Sequence, residues 1–81
     1  MLVTLMSRAG CHLCDVAREI AVRVIGETGD TLEIVDVDAD LETRAEYGDR
    51  VPVVLIDGAE HGYFSIDETR LRAALTSGST H

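Results

Sequence analysis

Cys11-His12-Leu13-Cys14 sets two thiols three residues apart. In a helix, residues i and i+3 lie about 5 Å apart at Cα, inside the roughly 4.4–6.8 Å that a disulfide requires. Such a pair closes and reopens without refolding the chain. The chemistry it offers is thiol-disulfide exchange, in which one thiolate attacks a disulfide and a second thiol must stand within bonding reach to displace the product. A helix that starts here divides the two roles. Cys11 lies where unpaired N–H groups and the positive end of the helix dipole favour an anion, so its thiolate is expected to form more readily than that of free cysteine, whose pKa is about 8.5. Cys14, one turn further in, is expected to be shielded and less ionised. Arg8, three residues upstream, and the adjacent His12 are near enough in sequence to add positive charge.

The same two residues have other uses. Cysteine is often simply a small buried residue, but a strand, a C-x-x-C element and a helix in succession argue against that. As metal ligands they would supply two of the four that a structural zinc site needs. No second C-x-x-C and no H-x-x-x-H is present, so His61 and His81 would have to be brought in by the fold. A metal-binding module, for zinc or an iron-sulfur cluster, and a non-catalytic adaptor stand as the alternatives to an exchange enzyme. No metal ligand set and no resident cofactor is expected.

The elements that must position the pair are legible on either side of it. Residues 2–6 are apolar and end at Ser7-Arg8-Ala9-Gly10, the profile of a buried strand passing into a loop. A helix follows, with Leu13, Val16, Ala17, Ile20, Val24 and Ile25 as its expected inner stripe and Gly26, with Thr28-Gly29-Asp30 after it, as its expected stop. Residues 31–37 form a second strand, β-branched and acidic enough to lie at an edge and parallel to the first. A short helix capped by Asp38 is expected to end near Tyr47-Gly48, with Leu41 and Ala45 facing inward. Residues 51–56 make a third strand, and Asp57-Gly58 turns it into a fourth around Glu60 to Phe64. Ser65-Ile66-Asp67-Glu68 matches a capping box before a helix with Leu71, Ala74 and Leu75 inward. The right-handed crossover of the first unit brings the start of the first helix to the carboxyl end of the first strand, where open sheets present reactive groups.

Composition narrows the classes of partner. Eighty-one residues support one core, expected over 1–76 with 77–81 as a frayed tail. Fifteen acids against seven basic residues give a net charge of −8, and the arginines are scattered, so nucleic acid and anionic membrane surfaces are not expected as partners. No apolar run approaches the roughly 18 residues of a membrane span, and the amino terminus lacks the layout of a secretory signal. A cytoplasmic monomer is expected, because reducing pools there keep a cysteine pair open rather than as a permanent staple.

With these residues placed, the chain resembles the glutaredoxin-like members of the thioredoxin superfamily. The resemblance is carried by Cys11-His12-Leu13-Cys14 after the first strand, Val51-Pro52 at the start of the third, and the Asp57-Gly58 hairpin followed by a capped helix. It implies a thioredoxin-like α/β (α+β) fold: a four-stranded mixed sheet flanked by three helices in the order β-α-β-α-β-β-α. It implies thiol-disulfide oxidoreductase activity, with Cys11 as nucleophile and Cys14 as resolving thiol. It further implies a cis Val51-Pro52 bond facing the cysteines, with the backbone before the proline pairing with a substrate peptide. By base rate alone that bond would be trans, since only about 5% of X-Pro bonds are cis. The basic residue that helps hold a glutathione carboxylate in that family corresponds to Arg8, and its acidic pair to Asp67 and Glu68. The implied partners are a disulfide-containing protein or a small thiol, with glutathione, another low-molecular-weight thiol or a flavoprotein reductase as reductant. The chain departs from the family pattern in having Tyr63-Phe64-Ser65-Ile66 where a Gly-Gly is usual, and His12 where a proline commonly follows the first cysteine.

Overall fold

Leu2–Ser7 forms β1, and four successive residues of it, Val3 to Met6, are buried. That near-continuous apolar run is what a central strand covered on both faces requires. A computed structural model describes residues 1–78 of the chain, with side-chain surroundings through residue 76. β1 pairs in parallel with β2 (Thr31–Asp36) and antiparallel with β3 (Val53–Ile56), which in turn pairs antiparallel with β4 (Ala59–Tyr63), giving the sheet order β2-β1-β3-β4. β2 is thus an edge strand, as its acids suggest. The element order and the mixed sheet are those expected from the sequence.

Alternation along the strands builds one core on each face. Val3, Leu5 and Val54 join Ala17, Val24, Ile66, Leu71 and Leu75 on the side covered by α1 (His12–Thr28) and α3 (Glu68–Gly78). Met6, Val53 and Leu55 meet Val37 on the other side, with Val35, Tyr47 and Val51 packed around them. That second face is served by a single 3₁₀ turn, Val37–Ala39, and by α2 (Leu41–Tyr47). No helix of the described residues is long and apolar enough to cross a membrane.

Several local expectations are corrected. Of the two glycines in the expected stop of α1 it is Gly29, not Gly26, that ends the helix, adopting φ 78 and donating its N–H to the Ile25 carbonyl at 2.8 Å. Gly26 is exposed and meets nothing within 4 Å of a Cβ position, so it costs the helix only about 1 kcal/mol of propensity. The buried face of α1 is Cys14, Ala17, Ala21 and Val24, while Leu13 and Val16 remain 48% and 39% exposed. Ala17, Ile20, Val24 and Ile25 of the expected stripe pack against the core, and Cys14 and Ala21 are buried in place of Leu13 and Val16. α2 is preceded by Asp40 rather than capped by Asp38, because Asp38 lies in the 3₁₀ turn. Leu41 is 73% exposed and Ala45 is exposed, against expectation; Val37 and Tyr47 fill the space expected of them.

The hairpin turn is as expected. Asp57 at φ 50 and Gly58 at φ 86 are both left-handed, the I′ geometry that suits a two-residue connection. Asp57 also accepts the Leu2 N–H at 2.8 Å, tying the turn to the start of β1. In β4, Val54 faces Gly62 but Leu55 faces Glu60, leaving His61 as a bulged residue. α3 begins two residues later than the capping box implies: Asp67 accepts the Arg70 N–H at 3.0 Å and takes the capping role expected of Ser65. The helix runs through Gly78, into positions expected as tail; 79–81 lie outside the described residues.

Leu71→Ala removes a fully buried side chain from the larger core and is expected to cost about 2–5 kcal/mol in urea unfolding. Leu41→Ala, at an exposed position, should stay within about 0.5 kcal/mol of the parent. Equal losses in the two variants would contradict the assignment of α2's outer side.

Candidate active site

β1 delivers the chain at Ser7, and the loop Arg8-Ala9-Gly10 turns it into α1, with Gly10 at φ 76. Cys11 is the N-cap, extended at φ −97 and ψ 111, and its Sγ accepts the Cys14 N–H at 3.2 Å. A cysteine sulfur therefore occupies the place usually filled by a serine or aspartate oxygen at a helix start. Its carbonyl takes the Asp15 N–H at 3.2 Å, the first bond of the helix.

The two thiols, both free, differ in access. Cys11 is half-buried, whereas Cys14 is only 1% exposed and belongs to the inner face of α1. Burial pushes the Cys14 thiol up from its ordinary range, and its hydrogen bond with the Cys11 sulfur adds to this. The Arg8 backbone N–H and the Ser7 hydroxyl oppose the shift by favouring the anion. Ser7 carries no signal in the sequence beyond its place immediately before the loop.

Val51-Pro52 is cis. Because Met6 of β1 pairs with Val53 of β3, this peptide stands at the end of the sheet where β1 gives way to the cysteine loop, with Val51 opposite Arg8 if the register is continued. Pro52 is fully buried, and its carbonyl accepts the Phe64 N–H at 2.9 Å. Among the described residues the backbone N–H and C=O of Val51 have no hydrogen-bond partner. The register thus places Val51 and Pro52 at the same end of the sheet as Arg8 and the Cys11–Cys14 turn.

Arg8 is already engaged. Its Nε and Nη2 each donate to an oxygen of Asp38 at 3.0 Å, and Nη1 lies 3.5 Å from the Gly48 carbonyl. A Cβ on Gly48 would come within 3.1 Å of the Arg8 guanidinium and 2.5 Å of the Arg44 carbonyl, so only glycine fits there. Asp38, a helix cap by sequence, has no local feature that signals a partner thirty positions away. Asp67 caps α3, and Glu68 binds Arg72 at 2.7 Å and also Arg23, tying α3 to α1. His12 is exposed on the first turn. A cleft of about 290 Å³ lined by Ser7, Arg8, Asp15, Arg18, Ile34 and Asp36, among others, opens beside the loop.

His61, considered above as a metal ligand, sits at the β4 bulge, half-buried, its pKa lowered by burial and by Arg70. No group of three or more His, Cys, Asp or Glu side chains among the described residues is arranged to hold a metal ion, and His81 lies outside them.

A family model described as a glutaredoxin-like domain (DUF836) matches residues 2–76. The chain belongs to this glutaredoxin-like family. It is 46% identical to the uncharacterized protein Rv0508 of Mycobacterium tuberculosis, over 88% of this chain and 78% of that one, and equally to Mb0520 of Mycobacterium bovis. Among solved structures it resembles the solution structure of target protein XcR50 from X. campestris, at 36% identity and a TM-score of 0.74 over 95% of both chains. A mutant thioredoxin from Halobacterium salinarum superposes with a TM-score of 0.69 over 94% of this chain and 72% of its own, at 22% identity. That likeness makes the fold of this glutaredoxin-like domain a thioredoxin fold.

In the reduced native protein, iodoacetamide should label Cys11 and spare Cys14 until the chain is unfolded, as read by peptide mass spectrometry. Equal labelling would contradict the burial of Cys14. Because the Cys14 pKa is raised in the fold, the unfolded thiol ionises first as pH passes about 9, and stability falls from there upward. The stability difference between the reduced parent and Cys14→Ser should therefore shrink above about pH 9; a constant difference would rule this linkage out.

Proposed function

We propose that this glutaredoxin-like domain is a thiol-disulfide oxidoreductase in which Cys11 attacks and Cys14 resolves. The observation that carries the reading is the asymmetry of the pair: one sulfur half-exposed at the helix cap and accepting a backbone N–H, the other buried one turn below it. The outer sulfur is within reach of a substrate, and burial keeps the inner one protonated until it is needed.

The Cys11 thiolate attacks one sulfur of a disulfide R–S–S–R′, forming the mixed disulfide Cys11–S–S–R and releasing R′S⁻, which takes a proton from solvent. Cys14 then loses its proton and attacks the Cys11 sulfur. The Cys11–Cys14 disulfide forms and RS⁻ leaves, so two electrons have passed to the substrate. The Ser7 hydroxyl and the Arg8 N–H favour the anion that Cys14 must become in this step. Two equivalents of a low-molecular-weight thiol restore the dithiol and are themselves oxidised to a disulfide. Val51, with its unpaired N–H and C=O, is the strand-like element on which a substrate peptide pairs. The substrate is a disulfide in a protein or a small molecule, the working form is a monomer, and the compartment is the reducing cytoplasm.

Cys11→Ser should abolish reduction of a model disulfide, a loss of at least about a thousandfold on the scale of a missing nucleophile. Cys14→Ser should accumulate Cys11 mixed disulfides visible as mass adducts. Full turnover by the Cys11→Ser protein would defeat the proposal.

A further inference from the structure

Phe64 is placed where neither backbone nor core wants it. Its φ of 61 lies in the left-handed region that glycine adopts freely and bulky residues avoid, yet its side chain is 46% exposed and so gains little by burial. The conformation is held by its own N–H, which donates to the Pro52 carbonyl at 2.9 Å and more weakly to the Arg50 carbonyl at 3.4 Å. Tyr63 beside it is 49% exposed, and the two rings meet edge to face at 5.0 Å. Arg50 steadies the platform from below the turn, its guanidinium 6.0 Å from the Tyr63 ring and bonded to Glu60. Strain of this kind is retained where a residue serves a site. The site adjoining Phe64 is the Val51-Pro52 peptide, whose first residue has an unpaired N–H and C=O.

We propose that Phe64 is a specificity-determining residue that makes this a site for disulfides within peptides bearing an apolar or aromatic residue beside the cysteine. The inference rests on the oxidoreductase reading above and names its substrate class. A peptide pairing with Val51 gains affinity from main-chain bonds, and the neighbouring aromatic ring reads one of its side chains. A small acidic disulfide is served badly by the same site. The guanidinium of Arg8, three residues before Cys11, is taken by Asp38, and the chain's net charge of −8 repels further carboxylates.

The test uses the full chain and two disulfide-linked peptides that differ only in having Phe or Gly next to the cysteine. The parent should reduce the Phe peptide with a kcat/KM about tenfold higher, the scale of one aromatic contact. Phe64→Gly suits the backbone, so it should melt at the same temperature or higher, and should bring the ratio of the two peptides close to one. Phe64→Tyr should keep the preference. A parent that shows no preference, or a Phe64→Gly protein that retains it, overturns the proposal while leaving the oxidoreductase reading intact. A parent that reduces neither peptide nor a small neutral disulfide overturns both.

Discussion

The Cys11 sulfur is a structural cap as well as the proposed nucleophile, and the local structure around it follows from the cap. A helix start leaves backbone N–H groups without partners, and here one of them is answered by sulfur instead of oxygen. The sulfur cannot move far without exposing the Cys14 amide, so it is held by a bond made at the start of α1. Cys14 in turn is locked by its place in the core, on the face shared with Ala17, Ala21 and Val24.

Two polar networks brace this junction from opposite faces of the sheet. On one, Arg8 clasps Asp38 through two parallel bonds, joining the cysteine loop to the 3₁₀ turn after β2. On the other, Glu68 bridges Arg23 and Arg72, and Arg72 reaches Glu27 at 2.6 Å, lashing α1 to α3. These pairs are substantially exposed, and each contributes little stability on its own. Their effect is geometric: the guanidiniums fix where one element lies against the next, while Leu5, Leu71 and Leu75 supply the burial that drives folding.

What can be read in the sequence is what is decided locally. The strand into Ser7, the paired cysteines at a helix start and the Asp57-Gly58 turn each depend on a few neighbouring residues, and all appear as expected. The inner face of α1 keeps Ala17, Ile20, Val24 and Ile25 as expected and departs at Leu13 and Val16, which residue size favours for the core although the sheet takes Cys14 and Ala21 instead. Caps shift by two residues at both α2 and α3, since several acids in each stretch are chemically able to cap and only tertiary placement selects among them. Asp38 is invisible as a partner of Arg8 because β2 and its crossover bring the two together. The left-handed Phe64 is hidden for a related reason: its backbone is set by a bond to Pro52 across the loop.

The unequal covering of the two sheet faces has a consequence for how the molecule breathes. α2 contains no fully buried residue and is only two turns long, so partial unfolding of that segment is a low-cost opening. Such an excursion frees Arg8 from the Gly48 carbonyl but leaves the first turn of α1 and both sulfurs in register on the opposite layer. Amide protection should accordingly be graded across the domain, with the larger core under α1 and α3 exchanging more slowly than the α2 segment against which Arg8 leans.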